Sequence, residues 1–240
     1  MYLLIPAAGM GQRMGEEWAR RGQAQRNKLL LPLLDRPVIA WTLLAAKEAE
    51  QIRRVSIIGQ PEDFKEFKQI VHHLGMSKMV QFVTGGTTRQ ESVDHGLQDL
   101  PVAAERVLIH DGARCLVTPQ LLDRCAEAIL HCPGLIAAVP VKDTIKVVDA
   151  TGLIESTPDR RHLWAAQTPQ GFDVELLKRC HAEGRSQSWE VTDDAALFER
   201  CGLPVKVVMG EETNIKVTTP GDLTIAELIL RQRGIQKSHE

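Results

Sequence analysis

The sequence contains no C-x-x-C pair, no internal repeat, no low-complexity segment and no apolar run of the roughly 18 residues that a membrane-spanning helix needs. Each absence removes a class of protein. Cys115, Cys125, Cys132, Cys180 and Cys201 are an odd number of cysteines without zinc or redox spacing, and they read as reduced thiols. The histidines offer no ligand-spaced group, so His72-His73 reads as a surface pair on a helix, His110 as a buried strand residue and His162 as a turn residue. A basic stripe is also missing. The net charge is -2 and the sequence pI about 6.5, where a nucleic-acid binder is expected above about 9, so no nucleic-acid partner is expected. Trp41, Trp164 and Trp189 are too scattered to form a stacking platform. A strand that starts at the second residue leaves no stretch that reads as a targeting peptide, and the expected location is the cytoplasm, without a membrane partner.

What the chain does have is an alternation of short apolar runs with stretches of helical period. The runs Tyr2–Pro6, Val55–Gly59, Val80–Thr84, Val107–His110 and Leu135–Val141 read as strands. Val38–Lys47, Glu62–Leu74, Arg89–Leu97 and Pro119–His131 read as the helices between them, with Pro37 suited to a first turn. This pattern predicts an α/β fold: a Rossmann-like, mostly parallel sheet with helices on both faces. Residues 1–240 are expected to form one domain. After Val141 the rhythm breaks. Thr144–Val148, a turn at 149–152 and Leu153–Ser156 read as a hairpin too polar for the core, which predicts a protruding arm at about 143–162. An isolated hairpin is marginal in water, so the arm needs a partner surface, and a second copy of the chain is the simplest one. Beyond it, Leu163–Thr168 and Val205–Met209 read as strands, and Val174–Ala182, Asp194–Cys201 and Gly221–Arg233 as helices.

The loop after the first strand, Pro6-Ala7-Ala8-Gly9-Met10-Gly11-Gln12-Arg13-Met14-Gly15, has almost no side-chain bulk and reads as a phosphate site. Its glycines let backbone N–H groups converge on an anion, and Arg13 adds a fixed charge. It fails the test for a dinucleotide fold, because no helix opens directly after Gly15 and no ribose-binding acid follows Val55–Ile58. Instead a polar stretch leads to Lys28, so two cations flank a segment long enough to close over a triphosphate. In sheets of this kind ligands bind beyond the carboxyl ends of the strands. There stands His110-Asp111-Gly112-Ala113-Arg114, whose Asp111 suits a hard divalent cation and whose Arg114 suits a phosphate, with a simple Asp–Arg turn bridge as the alternative. Gly85-Gly86 through Ser92 forms a second glycine turn whose backbone and hydroxyls suit the edge of a base. Asn214–Thr218 places Lys216 inside an apolar run that reads as a strand.

Taken as an ordered set, these stretches resemble the 2-C-methyl-D-erythritol 4-phosphate cytidylyltransferases of the non-mevalonate isoprenoid pathway. The likeness runs from Leu4 to about Leu230 and includes Asp143–Lys146, Thr168-Pro169-Gln170 and Thr192-Asp193-Asp194. It implies cytidylyl transfer from CTP to methylerythritol 4-phosphate. Ala7, Ala8, Gly9, Gly86 and Ser92 would hold the base and sugar of CTP. Arg13, Lys28 and Mg²⁺ would hold the triphosphate, and Asp111 would serve both the metal and the acceptor. Arg114, Thr144, Thr168, Thr192 and Lys216 would hold methylerythritol phosphate. Arg160, on the returning limb of the arm, would enter the neighbouring subunit's site in a homodimer. Three features depart from the family pattern: the segment between Arg13 and Lys28 is longer and richer in arginine, with Asn27 where a proline commonly precedes the lysine; Thr87 stands where an acid is frequent; and Gly112 and Cys115 replace alanine and proline. A ribitol 5-phosphate cytidylyltransferase shares much of these motifs, and a catalytically silent nucleotide sensor on the same fold is the rival from another class.

Overall fold

The structure, a computed structural model, describes residues 1–9 and 27–234. Eleven strands lie among these residues: β1 (Tyr2–Pro6), β2 (Pro32–Leu33), β3 (Arg36–Pro37), β4 (Arg54–Gly59), β5 (Val80–Thr84), β6 (Arg106–Ile109), β7 (Gly134–Pro140), β8 (Val147–Val148), β9 (Ile154–Ser156), β10 (Trp164–Asp173) and β11 (Lys206–Met209). The described helices are α1 (Val38–Glu48), α2 (Phe64–His73), α3 (Arg89–Gln98), α4 (Pro119–Ala128), α5 (Val174–Ser186), α6 (Asp194–Arg200) and α7 (Pro220–Gln232). Seven strands form one sheet in the order β11-β7-β10-β6-β1-β4-β5, parallel throughout except for β10, which runs antiparallel to both neighbours. The expected α/β architecture is therefore present, with one strand reversed. Among the described residues no helix is long and apolar enough to cross a membrane.

The centre of the sheet explains why β1 was legible as a strand. Leu3, Leu4 and Ile5 are all fully buried, because a central parallel strand is covered on both faces and needs no polar alternation. Successive side chains still point to opposite sides. Leu3 and Ile5 join the core under α1, α2, α4 and α7, with Val38, Phe67, Leu121 and Leu230, whereas Leu4 joins Val93, Leu177 and Phe198 under α3, α5 and α6. Five of the seven described helices start on side-chain caps: Thr88 for α3, Thr118 for α4, Asp173 for α5, Asp193 for α6 and Thr219 for α7, each accepting from a backbone N–H three residues on.

Several boundaries differ from the sequence reading. Pro37 is the N-cap of α1 rather than a first-turn residue, and α2 is preceded by a 3₁₀ turn over Pro61–Asp63. The strand read as Leu163–Thr168 runs five residues further, to Asp173, because its polar residues find partners inside the protein. Asn214–Thr218 is a loop and not a strand. The arm is an exposed hairpin, though only β8 and β9 pair within it. Its base continues the β7–β10 ladder, where Val141 N–H donates to the Leu163 carbonyl at 3.0 Å.

The chain goes outward from β1 to β4 and β5, then returns to place β6 on the other side of β1. Strand order therefore reverses at β1, and the crevice beyond the carboxyl ends of β1 and β6 is where such a sheet binds ligands.

Candidate active site

Two cavities occupy that crevice. The larger, about 320 Å³, lies between Pro6–Gly9, Lys28, the turn from Gly86 to Arg89, Asp111 to Ala113, and Lys216. The smaller, about 150 Å³, is lined by Arg114, Thr168, Gln170, Thr192 and Asp193. Arg89, Asp111 and Lys216 form part of the wall of both.

Backbone approach builds the larger cavity. Ala7 N–H donates to the Ile58 carbonyl at 2.6 Å, and Gly85 N–H donates to the Gly59 carbonyl at 2.8 Å, so both turns are hung from the end of β4. They touch closely: a Cβ on Gly85 would fall 2.6 Å from the Ala8 Cβ, so this position admits only glycine without a shift. Ser92 Oγ donates to the Thr88 carbonyl at 2.8 Å and accepts from Gly86 N–H at 3.0 Å, which locks the turn onto the first residues of α3. Thr87, where the family often has an acid, instead donates from its N–H and its hydroxyl to Glu91, both at 2.7 Å. A carboxylate is thus held beside that position from four residues downstream.

Lys28 enters through Asn27, a buried residue that sequence reasoning treated only as a missing proline. Its amide donates to the Ala7 carbonyl at 2.9 Å and to Asp63 at 2.7 Å, and accepts from Leu29 N–H at 3.0 Å. Asn27 also has φ -60°, the value proline would impose, and adds three hydrogen bonds that proline lacks. Lys28 Nζ donates to the Val217 carbonyl at 2.9 Å, linking this stretch to the loop that carries Lys216.

Asp111 sits between two cations. Lys216 Nζ is 2.7 Å from one carboxylate oxygen and Arg89 Nε 3.2 Å from the other. Burial alone would push this carboxyl upward, but Arg89 and then Lys216 outweigh it and hold Asp111 well below the usual carboxylate range. Behind it lies a relay of neutral contacts. Asp111 N–H donates to Thr168 Oγ1 at 3.0 Å, that hydroxyl lies 3.0 Å from His110 Nδ1, and His110 Nε2 lies 3.1 Å from the Arg114 carbonyl. A carbonyl can only accept, so Nε2 carries the proton and Nδ1 accepts from Thr168. Burial, the largest influence, pushes the His110 ring down to about 4, which keeps it neutral. His110 is a buried residue as expected, yet it fixes Thr168 and, through it, the Asp111 backbone; its place next to Asp111 was the available signal.

Arg114 donates to the Asn214 carbonyl at 2.8 Å and to Ala166 at 3.1 Å, and its Nε is buried without a partner among the described residues. The Lys216 loop is held further by Val217 N–H donating to Ala113 at 2.8 Å and by Asn214 donating to the Thr168 carbonyl at 2.8 Å. The structure brings together Ala7, Ala8, Gly9, Lys28, Gly86, Ser92, Asp111 and Lys216 at the first cavity, and Arg114, Thr168 and Thr192 at the second. Thr144 and Arg160 line neither; both are exposed on the arm, where Arg160 donates to the Lys142 carbonyl at 2.7 Å. Arg13 lies outside the described residues. The shared role of Arg89 was missed, since as the first residue of a capped helix it read as part of that start.

For a divalent cation, Asp111 is an ionised hard oxygen donor on the wall of both cavities. Among the described residues no group of three His, Cys, Asp or Glu side chains has metal-holding geometry. One carboxylate with ligand phosphates completing the shell is how Mg²⁺ commonly binds, so the donor set fits.

A glycine-built pocket and an anion pocket that share one charged wall, at the switch point of a mostly parallel sheet, define a nucleotidyltransferase. The comparisons make the assignment specific. The model of the family described as IspD: 2-C-methyl-D-erythritol 4-phosphate cytidylyltransferase matches residues 1–232, and the chain belongs to that family. It is similar to the 2-C-methyl-D-erythritol 4-phosphate cytidylyltransferase of Nostoc sp. (strain PCC 7120), 66% identical over 97% of this chain and 99% of the relative. Among solved structures it resembles the 4-diphosphocytidyl-2C-methyl-D-erythritol synthase of Anaerococcus prevotii, with a TM-score of 0.83 and 30% identity over 96% of this chain and 97% of that one. It also resembles the 2-C-methyl-D-erythritol 4-phosphate cytidylyltransferase of Thermus thermophilus, with a TM-score of 0.74 and 32% identity over 96% of this chain and 98% of that one. Enzymes of this family generally use a divalent cation.

Proposed function

We infer that the two cavities divide the family reaction between them, the larger holding CTP and the smaller methylerythritol 4-phosphate. The enzyme transfers the cytidylyl group of CTP to 2-C-methyl-D-erythritol 4-phosphate, giving 4-diphosphocytidyl-2-C-methyl-D-erythritol and pyrophosphate. The observation that carries the division is the common wall of Arg89, Asp111 and Lys216, which brings donor and acceptor phosphates together. Ala7, Ala8, Gly9, Gly86 and Ser92 hold base and sugar. Arg114, Thr168 and Thr192 hold the acceptor.

An acceptor phosphate oxygen attacks the α-phosphorus, and pyrophosphate leaves in line. The nucleophile is already an anion at neutral pH, so no general base is required. The protein's task is to overcome repulsion between two polyanions and to stabilise charge at the α-phosphate. Arg13, Lys28 and Lys216 supply that positive charge, Lys216 exchanging its contact with Asp111 for phosphate oxygens. Asp111 would hold a Mg²⁺ ion, which would supply charge neutralisation at the triphosphate.

Residues 1–240 act as one nucleotidyltransferase domain in the cytoplasm. The arm completes the acceptor site of a second copy: Val148, Leu153 and Ile154 are exposed on it, and Thr144 and Arg160 are absent from both cavities' linings in their own chain. The test is pyrophosphate release with CTP and Mg²⁺, comparing methylerythritol 4-phosphate with ribitol 5-phosphate. Fast release with the first alone is expected. A preference for ribitol 5-phosphate would overturn the acceptor reading while leaving the fold and donor site in place.

A further inference from the structure

We propose that Arg89 is a positioning residue for the acceptor, a strut that holds Asp111 and the Thr192-Asp193 loop at a fixed spacing. The smaller cavity has two walls. One is the corner of β6 and β10, with Asp111, Arg114 and Thr168; the other is the segment leading into α6, with Thr192 and Asp193. The Arg89 guanidinium crosses between them: Nε donates to Asp111 at 3.2 Å, and Nη1 donates at 2.7 Å to Asp194, the first residue of α6. Asp194 is itself buried, and its other oxygen lies 3.4 Å from Nε2 of the buried His181 on α5. Gln170 makes a parallel crossing, donating to Asp193 at 2.8 Å and accepting from Ala195 N–H at 3.3 Å.

Arg89 differs from Gln170 in reaching the carboxylate that faces both substrates. It takes one oxygen of Asp111 and leaves the other to Lys216, so it sets which oxygen remains for a cation or for exchange with phosphate. Its third nitrogen, Nη2, is buried with no hydrogen-bond partner among the described residues. An unpaired buried donor costs stability, and a side chain kept only to fasten α3 to α6 would gain nothing by carrying it. The planar fork of arginine makes both contacts at once; lysine, a single point charge, makes one.

This inference rests on the acceptor placement given above, and the experiment separates the two. Arg89→Lys keeps a cation against Asp194, and a second variant, Arg89→Gln with Asp194→Asn, removes both charges together so that none is stranded in the core. Thermal unfolding reports the fold. Calorimetric titration measures CTP binding without acceptor, and acceptor binding with a CTP analogue that cannot react. For both variants we expect CTP affinity within about threefold of the parent, acceptor affinity weaker by about tenfold or more, and kcat lower by about tenfold. Loss of CTP and acceptor binding in parallel with melting temperature would reduce Arg89 to a structural tie and overturn the proposal, as would acceptor affinity within about twofold of the parent. Thr192→Val tests the placement itself: unchanged acceptor affinity there would overturn that placement whatever Arg89 does.

Discussion

Replacing Asn27 with alanine removes a cap and a tether in one step. The cap, accepting from Leu29 N–H at 3.0 Å, is worth about 1 kcal/mol. The tether donates to the Ala7 carbonyl at 2.9 Å, and leaving that buried region short of a donor costs a further 1–3 kcal/mol or so. The sum is about 2–4 kcal/mol, which for a chain of this length lowers the melting temperature by roughly 5–15 °C. Function should fall with it, because Ala7 belongs to the larger cavity and Lys28 is the next residue: the KM for CTP should rise by about tenfold at a temperature where the fold is intact. Asn27→Asp sharpens the argument. It retains the cap but cannot donate to Ala7, and it sets a second carboxylate against Asp63, so it should be less stable than Asn27→Ala despite being closer in shape. Calorimetry and steady-state kinetics on both variants check this. A melting temperature within about 2 °C of the parent for Asn27→Ala, or greater stability for Asn27→Asp than for Asn27→Ala, would refute the reasoning.

The remaining predictions are more compact. Lys28→Met and Arg13→Met should each lower kcat by about 10²–10³-fold with the fold intact, and a loss below about tenfold in single-turnover rates would remove that residue from the charge-stabilising set. Gly85→Ala drives a methyl into Ala8, so CTP affinity measured by calorimetry should fall by about tenfold, and unchanged affinity would mean that the two turns separate freely. Mixed dimers of Arg160→Ala and Lys28→Ala chains should regain activity that neither homodimer has; no recovery would show that the arm does not act across subunits. Burial pushes Cys115, Cys125 and Cys180 up to about 12. Their contribution to stability is therefore fully present below the usual thiol value near 9 and is lost as pH rises toward 12. At about pH 8 an aromatic disulfide reagent should modify only the half-buried Cys132 and Cys201 in the native protein, and fast reaction of a third thiol would contradict this burial.

Central elements were the most legible in the sequence because their residues answer to one demand. Leu3-Leu4-Ile5 must be apolar on both sides, and nothing in that run suggests another structure. The sequence reading of β10 stops at Thr168, before Pro169 and the polar Gln170, yet Gln167, Thr168 and Gln170 are all buried with partners far away in sequence: Glu211 for Gln167, His110 for Thr168 and Asp193 for Gln170. No local pattern reveals a partner so distant along the chain. The same reason hid the Lys216 loop, whose Ile215 and Val217 look like alternate strand positions until the backbone bond to Ala113 is seen. Site residues were legible as types at strand ends. Their connections were not, since Arg89 and Asn27 act through contacts that tertiary structure alone creates.

The reversed strand has a consequence for how such an enzyme changes over generations. On the proposed division, CTP is read largely by Ala7 to Gly9, Lys28, Gly86 and Ser92, before β7 begins. Apart from Arg114 after β6, the acceptor is read by Thr168, Gln170, Thr192 and Asp193, on or after β10. Inserting β10 between β6 and β7 lets a later stretch of chain form the second wall without touching the first turns. A lineage can thus alter its acceptor through substitutions confined to that later stretch while CTP recognition persists. Asp111 and Lys216 have no such freedom, because each faces both cavities.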